Sequence, residues 1–472
     1  MNQKPRNHRS KPDETGPSAP SPATTQRLAH WLRRLVTLEP TEGTGVAWAF
    51  IYHFCLLCSY YVLRPIRDEM GIAGGVEQLQ WLFLATFIAM LAIVPLFGWL
   101  TSRIPRKRFL PYAYLFFASN LLAFYVLFQT GVARATLARV FFVWVSVYNL
   151  FVISVFWSFM SDLFRPDQSK RLFGFIAAGG SVGALVGPAL AAGLAPAIGV
   201  AHLLLVSAAL LLTVLLCIGG LTRWHARTAQ NVNPEQSPPH LHSVPRATPP
   251  RDERKLGGGM WAGVRLVLRS PYLLGICLLI LLYTTLSTFL YFQQAHIVER
   301  SFASPALRTR VFAGMDLATN ALTLTFQTLL TARLIRRVGV PVSLALVPVL
   351  LMTGFGALAL APTLTVLILV QVLRRAGNYA IMKPVREMLY VVVTREEKYK
   401  AKNFIDTAIY RSGDALSAWL FTGLRGLGLT LSQIAWVAVP LTGVWAWVAF
   451  RLGKHHDQKV AAGEVEEGGH HS

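Results

Sequence analysis

Residues 364–415 carry Arg374, Arg375, Lys383, Arg386, Glu387, Asp406, Arg411 and Asp414 inside stretches that are otherwise apolar. Each charge within a bilayer span costs about 2.5–3.5 kcal/mol on insertion scales, so such groups face a protein interior or a wet cavity. Bases outnumber acids here. Guanidinium forks match the paired oxygens of phosphate and carboxylate, and an ammonium adds a point charge. The chemistry implied is non-covalent capture of an anion.

A second cluster closes the first apolar run, in the order Arg64, Pro65, Ile66, Arg67, Asp68, Glu69. On a helix Arg64 and Arg67 are i, i+3 neighbours, and Arg64 and Asp68 are i, i+4 neighbours. Pro65 removes an amide donor and crowds the preceding turn, so a bend is expected there. Arg374 falls near the middle of its span at 1.5 Å per residue, too deep for its head to reach water by stretching along the helix. Arg64, Arg67, Arg374, Arg375, Lys383, Arg386 and Arg411 are therefore the candidate anion-binding groups. Asp68, Glu69, Glu387, Asp406 and Asp414 are the candidate counter-ions or gate residues. The competing reading is structural: intramembrane ion pairs that fix helix packing, with Arg64 and Arg67 snorkelling to a membrane surface. Tyr60, Tyr61 and Tyr379 stand near these groups and could stack an aromatic ligand.

These residues need elements to hold them. The chain has 472 residues, 53% hydrophobic and 14% charged, with a mean hydropathy of +0.45. Soluble domains carry about a quarter charged residues. Apolar runs of spanning length recur, while strand alternation is absent, which points to helical spans rather than an outer-membrane barrel. Six spans are expected near 44–70, 78–101, 110–131, 138–161, 173–194 and 201–221, and six more near 271–297, 311–334, 341–361, 364–392, 402–424 and 430–451. The domain plan is a polar tail 1–43, a six-helix half 44–221, a Pro-rich linker 222–260, a second six-helix half 261–453 and a polar tail 454–472. The formal charge is +22, yet most Lys and Arg sit in short loops after even-numbered spans. By the positive-inside rule they set topology, with both termini and the linker cytoplasmic in a bacterial inner-type membrane, and they do not signal nucleic-acid binding. The loop 299–310, with Arg300, Arg308 and Arg310, breaks that alternation.

A shift of 229 residues lays Asn149 on Asn378, Asp167 on Glu396, Arg171 on Lys400 and Phe175 on Phe404. Two related six-span halves joined by a long linker resemble the major facilitator plan. Gly98, Ser102, Arg103, Pro105, Arg106 and Lys107 stand where that superfamily often has G-x-x-x-D-R-x-G-R-K. Gly174, Gly183, Gly187 and Pro188 are similar to the G-x8-G-x3-G-P motif of its antiporters. Gly179, Gly183 and Gly187 also share one helix face, a spacing that lets two helices approach closely.

A longer resemblance follows. Leu63-Arg64-Pro65-Ile66-Arg67-Asp68 resembles the L-R-x-x-K-D ending of the first helix in the bacterial and plastid ATP/ADP translocase family. Arg386-Glu387-Met388-Leu389-Tyr390, Lys398-Tyr399-Lys400-Ala401-Lys402, Ile405-Asp406 and Arg411-Ser412-Gly413 resemble its K-E-M-x-Y … K-x-K-G-K-x-x-I-D … K-S-G-G run. Arg stands for Lys at 67, 386 and 411, Ala401 replaces a Gly, and Asp414 replaces the second Gly of the last motif. The resemblance implies exchange of nucleotides, typically ATP for ADP, across a membrane.

The expected fold is an all-α membrane protein of about twelve transmembrane helices in two six-helix halves. The expected function is exchange of an organic phosphate, with nucleotide the leading candidate, by alternating access in the bilayer. Two alternatives stay open. One is a proton-coupled exporter of drugs or lipids, with Asp316, Asp406 or Asp414 as the titrating acid; the other is a non-transporting receptor or assembly factor. No P-loop and no metal-ligand spacing occur in the sequence, so neither enzyme chemistry nor a cofactor is expected. Cys55, Cys58, Cys217 and Cys277 all lie in apolar runs and read as packing residues.

Overall fold

Helix starts are written plainly in the sequence. Pro166, Pro271 and Pro305 each occupy the first turn of a helix, where the missing amide hydrogen is not needed. Ser270 and Thr363 cap their helices by accepting from Leu273 N and Val366 N, both at 3.4 Å. The computed structural model describes residues 39, 42–103, 106–131, 133–230, 260–394 and 397–468. The expected segments 1–43, 222–260 and 454–472 fall partly outside them, as do Ile104 and Pro105 of the loop motif after the second span.

The first half comprises α1 (Gly43–Ala73), α2 (Leu79–Arg103), α3 (Arg106–Thr130), α4 (Arg134–Leu163), α5 (Pro166–Ile198) and α6 (His202–Gln230). A short helix, Met260–Arg269, precedes the second half. There α7 is Pro271–Ser301. Helix α8 begins at Pro305, passes through a π-turn at Gln327–Thr331 and ends where Gly339 takes φ 73°. From there α9 occupies 340–360, α10 is Leu364–Met388 with a π-turn at Asn378–Met382, α11 occupies 402–426 and α12 is Leu431–Gly468. Among the described residues, ten helices are long and apolar enough to cross a membrane. The exceptions, α8 and α11, carry Asp316 and the set Asp406, Arg411 and Asp414. Beyond residue 453 α12 stays helical to Gly468, because loss of hydropathy marks a membrane boundary and not a helix end. Pro65 sits within a continuous α1.

Packing repeats with a shift of six helices. The pairs α1–α5, α1–α6, α2–α4 and α3–α6 recur as α7–α11, α7–α12, α8–α10 and α9–α12. Between halves, α5 packs on α8 and α2 on α11. The α5–α8 seam includes a 2.6 Å hydrogen bond from Asn320 to the Ala184 carbonyl, and the α2–α11 seam a Trp81–Trp419 edge contact at 4.8 Å. Buried apolar side chains form two cores, one largely in each half.

The expected glycine face meets α1. A Cβ on Gly179 would lie 2.5 Å from the Phe50 carbonyl oxygen, and one on Gly187 2.7 Å from that of Cys58. At Gly183 it would press on the Phe54 carbonyl and lie 2.9 Å from Cys58 N. The two backbones touch through this seam, as small residues allow. All four cysteines are free and buried.

Candidate functional site

Three helices converge on one carboxylate. Asp316 of α8, 1% exposed, accepts a 2.5 Å hydrogen bond from Arg375 of α10. Its other oxygen lies 3.7 Å from Arg64 Nε of α1. A first-half base and a second-half base therefore share one acid. Removal of charge from water is tolerated here because each ion finds its opposite.

Arg374, next along α10, is held differently. Its Nε donates to Gln371 at 3.1 Å and its Nη1 to Ser287 of α7 at 2.6 Å. Gln371 is itself fixed by a 2.6 Å bond to Gln294. Among the described residues no carboxylate lies within ion-pair distance of Arg374, although the residue is only 6% exposed. It is a positive charge aimed by neutral groups.

The π-turn after Gly377 loosens the helical bonding of α10, and α8 repairs it. Thr331 donates to the Ala380 carbonyl at 2.8 Å and Gln327 to that of Tyr379 at 3.3 Å. Both donors belong to the π-turn of α8. Such turns commonly mark functional sites because they re-aim the flanking side chains.

These groups surround a cavity of about 160 Å³. Arg64, Arg67, Arg374 and Arg375 line it against Asp68 and Asp414, with Tyr379, Ser287 and Asn378 between them. Arg67 stacks over Phe142 at 4.5 Å and lies 3.9 Å from Asp68. Tyr291 of α7 donates to Asp68 at 3.1 Å, another link between halves. Arg411 and Asp414 lie 3.8 Å apart on α11 and face an adjoining space of about 100 Å³. That space shares Met90 and Arg411 with a further one of about 270 Å³, which Asp406 also lines. The charged centre thus continues toward the face where α1 begins.

Seven of the twelve candidates gather at the central or adjoining space: Arg64, Arg67, Asp68, Arg374, Arg375, Arg411 and Asp414. Others stand elsewhere. Glu69, with its side chain 0% exposed, pairs at 2.9 Å with Arg308 at the start of α8, sealing the halves together where α1 ends. Arg386 lies 3.4 Å from Asp406, and Lys402 pairs with Glu387 at 2.5 Å, both within the second half. Lys383 is exposed and lines none of these spaces. Of the three tyrosines, Tyr379 lines the cavity, whereas Tyr60 and Tyr61 pack edge to face on each other at 5.2 Å.

Sequence reading weighed Asp316 only as a titrating acid; its role as the shared counter-ion was missed. The signal was present, since Asp316 is the one acid between residues 300 and 362. Arg308 was missed as well. It read as a flaw in the loop-charge pattern and is the ion-pair partner of Glu69.

Two repeated helical halves closing around a charged intramembrane cavity define a secondary transporter. The chain matches the Major Facilitator Superfamily profile over residues 49–398 and belongs to that family. It is 23% identical to "ADP,ATP carrier protein 1" of Chlamydia trachomatis serovar D, over 88% of this chain and 89% of that one. The same identity and coverage hold for the protein of that name from Chlamydia muridarum. Among solved structures it superposes on the nucleoside transporter NupG with a TM-score of 0.61 at 14% identity, covering 86% of this chain and 99% of that one. A bacterial homologue of the iron transporter ferroportin gives a TM-score of 0.58 at 12% identity, over 88% and 98%.

Proposed function

We propose that this transporter exchanges organic phosphate anions, nucleotides of the ATP/ADP type foremost, by alternating access around the central cavity. The observation that carries the reading is Arg374: a buried guanidinium held by Gln371 and Ser287, with no carboxylate among the described residues within ion-pair distance. Phosphate oxygens would complete it with charge-assisted bonds. The two Chlamydia relatives named as ADP,ATP carriers give independent support.

Coupling follows from Asp316. Without solute it holds Arg64 and Arg375 together across the halves. A bound phosphate competes for the same two bases and lowers the cost of parting the halves. An empty carrier stays locked, so net flow in one direction is suppressed and exchange is favoured. The basic residues Arg171, Arg333, Arg336, Arg337 and Lys402 lie toward the face where α1 begins, which supports a cytoplasmic assignment for that face in an inner-type membrane.

The test is counterflow in proteoliposomes. Labelled ATP should accumulate in vesicles loaded with ADP far faster than in empty ones, and Arg374→Ala should abolish the difference. Equal uptake into loaded and empty vesicles would defeat the exchange reading.

A further inference from the structure

The space beside the cationic cavity has its own character. Phe83, Phe87 and Met90 of α2 wall it together with Phe142 of α4, and Arg411 and Asp414 of α11 face them. Thr86 and Phe87 follow Phe83 by three and four residues, and Ser146 and Asn149 follow Phe142 by four and seven, so each set lies along one face of its helix. The space shares Arg67, Phe83 and Asp414 with the cationic cavity. One ligand can therefore occupy both.

Three polar atoms on this wall are buried without a hydrogen-bond partner: Thr86 Oγ1, Asn149 Oδ1 and Arg67 Nε. Thr86 is 8% exposed. Leaving buried donors or acceptors unpaired is costly, and their convergence on one aromatic-walled space marks it as built for a ligand that is both flat and polar-edged. Packing alone gives no reason to set a threonine hydroxyl and an asparagine amide among phenylalanines.

Resting on the reading of the central cavity as a phosphate site, we propose that this neighbouring space is a base subsite. The phosphates of a nucleotide lie against Arg374, Arg375 and Arg64. Its planar base lies among Phe83, Phe87 and Phe142, and the Asn149 amide reads the base edge. An amide presents an acceptor beside a donor, which fits the N6 amino group and N7 of a 6-amino purine and mismatches the O6 and N7 acceptors that a 6-oxo purine presents on that edge. Thr86 and Arg67 supply the remaining polar contacts. The base is thus recognised chiefly by the first half and the phosphate chain chiefly by the second, so a single solute draws both halves together.

The experiment measures displacement of labelled ATP from the purified full chain by ATP, GTP and inorganic tripolyphosphate. ATP should compete about tenfold better than tripolyphosphate and better than GTP, the size expected of one good amide–base pair. Asn149→Leu should weaken ATP about tenfold and leave tripolyphosphate unchanged, which also shows that the variant is folded. Thr86→Val should weaken ATP in the same selective way. Equal competition by ATP and tripolyphosphate in the native protein would overturn the base subsite and leave the phosphate site standing. So would an Asn149→Leu variant that binds ATP normally, or one that loses both ligands equally. Tripolyphosphate competition unaffected by Arg374→Ala would instead overturn the phosphate site, and the base subsite with it.

Discussion

Asp316 and Arg375, on α8 and α10, form a 2.5 Å hydrogen-bonded ion pair with side chains 1% and 9% exposed. Arg64 approaches the same carboxylate from the other half. Replacing Asp316 with Asn leaves the buried Arg375 and the half-buried Arg64 without their acid. Losing one member of a buried pair costs about 3–5 kcal/mol, so the unfolding temperature should drop clearly. The freed bases should bind ATP more tightly, since no carboxylate competes for them, and uptake into empty vesicles should rise toward that into ADP-loaded ones, since the lock on the empty carrier is gone. Displacement and uptake assays on the same preparation read both effects. Weaker ATP binding in Asp316→Asn would refute the competition.

Glu69 and Arg308 close the halves at the end of α1. Truncating either partner of such a buried pair costs about 2–5 kcal/mol, much of it from the charge left behind. Glu69→Gln and Arg308→Gln should each shift the carrier toward opening at that face, raising the labelling rate of a cysteine placed at Ala73. The exchanged pair Glu69→Arg with Arg308→Glu should return labelling toward the native rate. Additive effects of the two single changes would argue that the residues act independently.

Arg374→Lys keeps the charge and loses the fork. Lysine cannot donate to Gln371 and Ser287 and still present two parallel donors to phosphate. ATP affinity should fall about tenfold, the equivalent of one charge-assisted bond, with Arg374→Ala falling further. Indistinguishable affinities for the Lys and Arg forms would mean that charge alone suffices.

Gly183 is the tightest test of the α1–α5 seam. A valine there would drive into the Phe54 carbonyl and Cys58 N, both backbone atoms, so the variant should fail to yield folded protein. Gly174 has nothing within 4 Å of its would-be Cβ. Gly174→Ala should be neutral or raise stability by up to about 1 kcal/mol, the helix-propensity difference. Thermal unfolding of the two variants in detergent compares them directly.

The spans were legible because burial in lipid demands long apolar runs, and the glycine seam because close backbone contact demands small residues in register. Much of the cavity was legible for the same reason that it is costly, namely charge at membrane depth. Hydropathy gives depth along a helix and not direction around it. Arg386 and Glu387 therefore read as site residues, whereas the fold sets Arg386 beside Asp406 and Glu387 beside Lys402, and neither lines the central or adjoining space. Pairings across the halves, such as Glu69 with Arg308 and Arg64 with Asp316, depend on how distant segments meet. No local pattern announces them. Asn149 was noted only for its repeat mate Asn378, and its setting among phenylalanines required the packing of α2 on α4.

The polarity of α8 and α11 has a consequence for how the chain is made. Neither meets the composition that lets a lone helix partition into lipid, and central charges oppose insertion by a few kcal/mol each. Each must enter the bilayer with company: α8 beside α5 and α1, already emplaced, and α11 against α7 and α2. The first half is therefore a scaffold for biogenesis of the second. A chain lacking α1–α6 should leave α8 stranded at the translocon, while the intact chain draws it in by giving Asp316 its arginines.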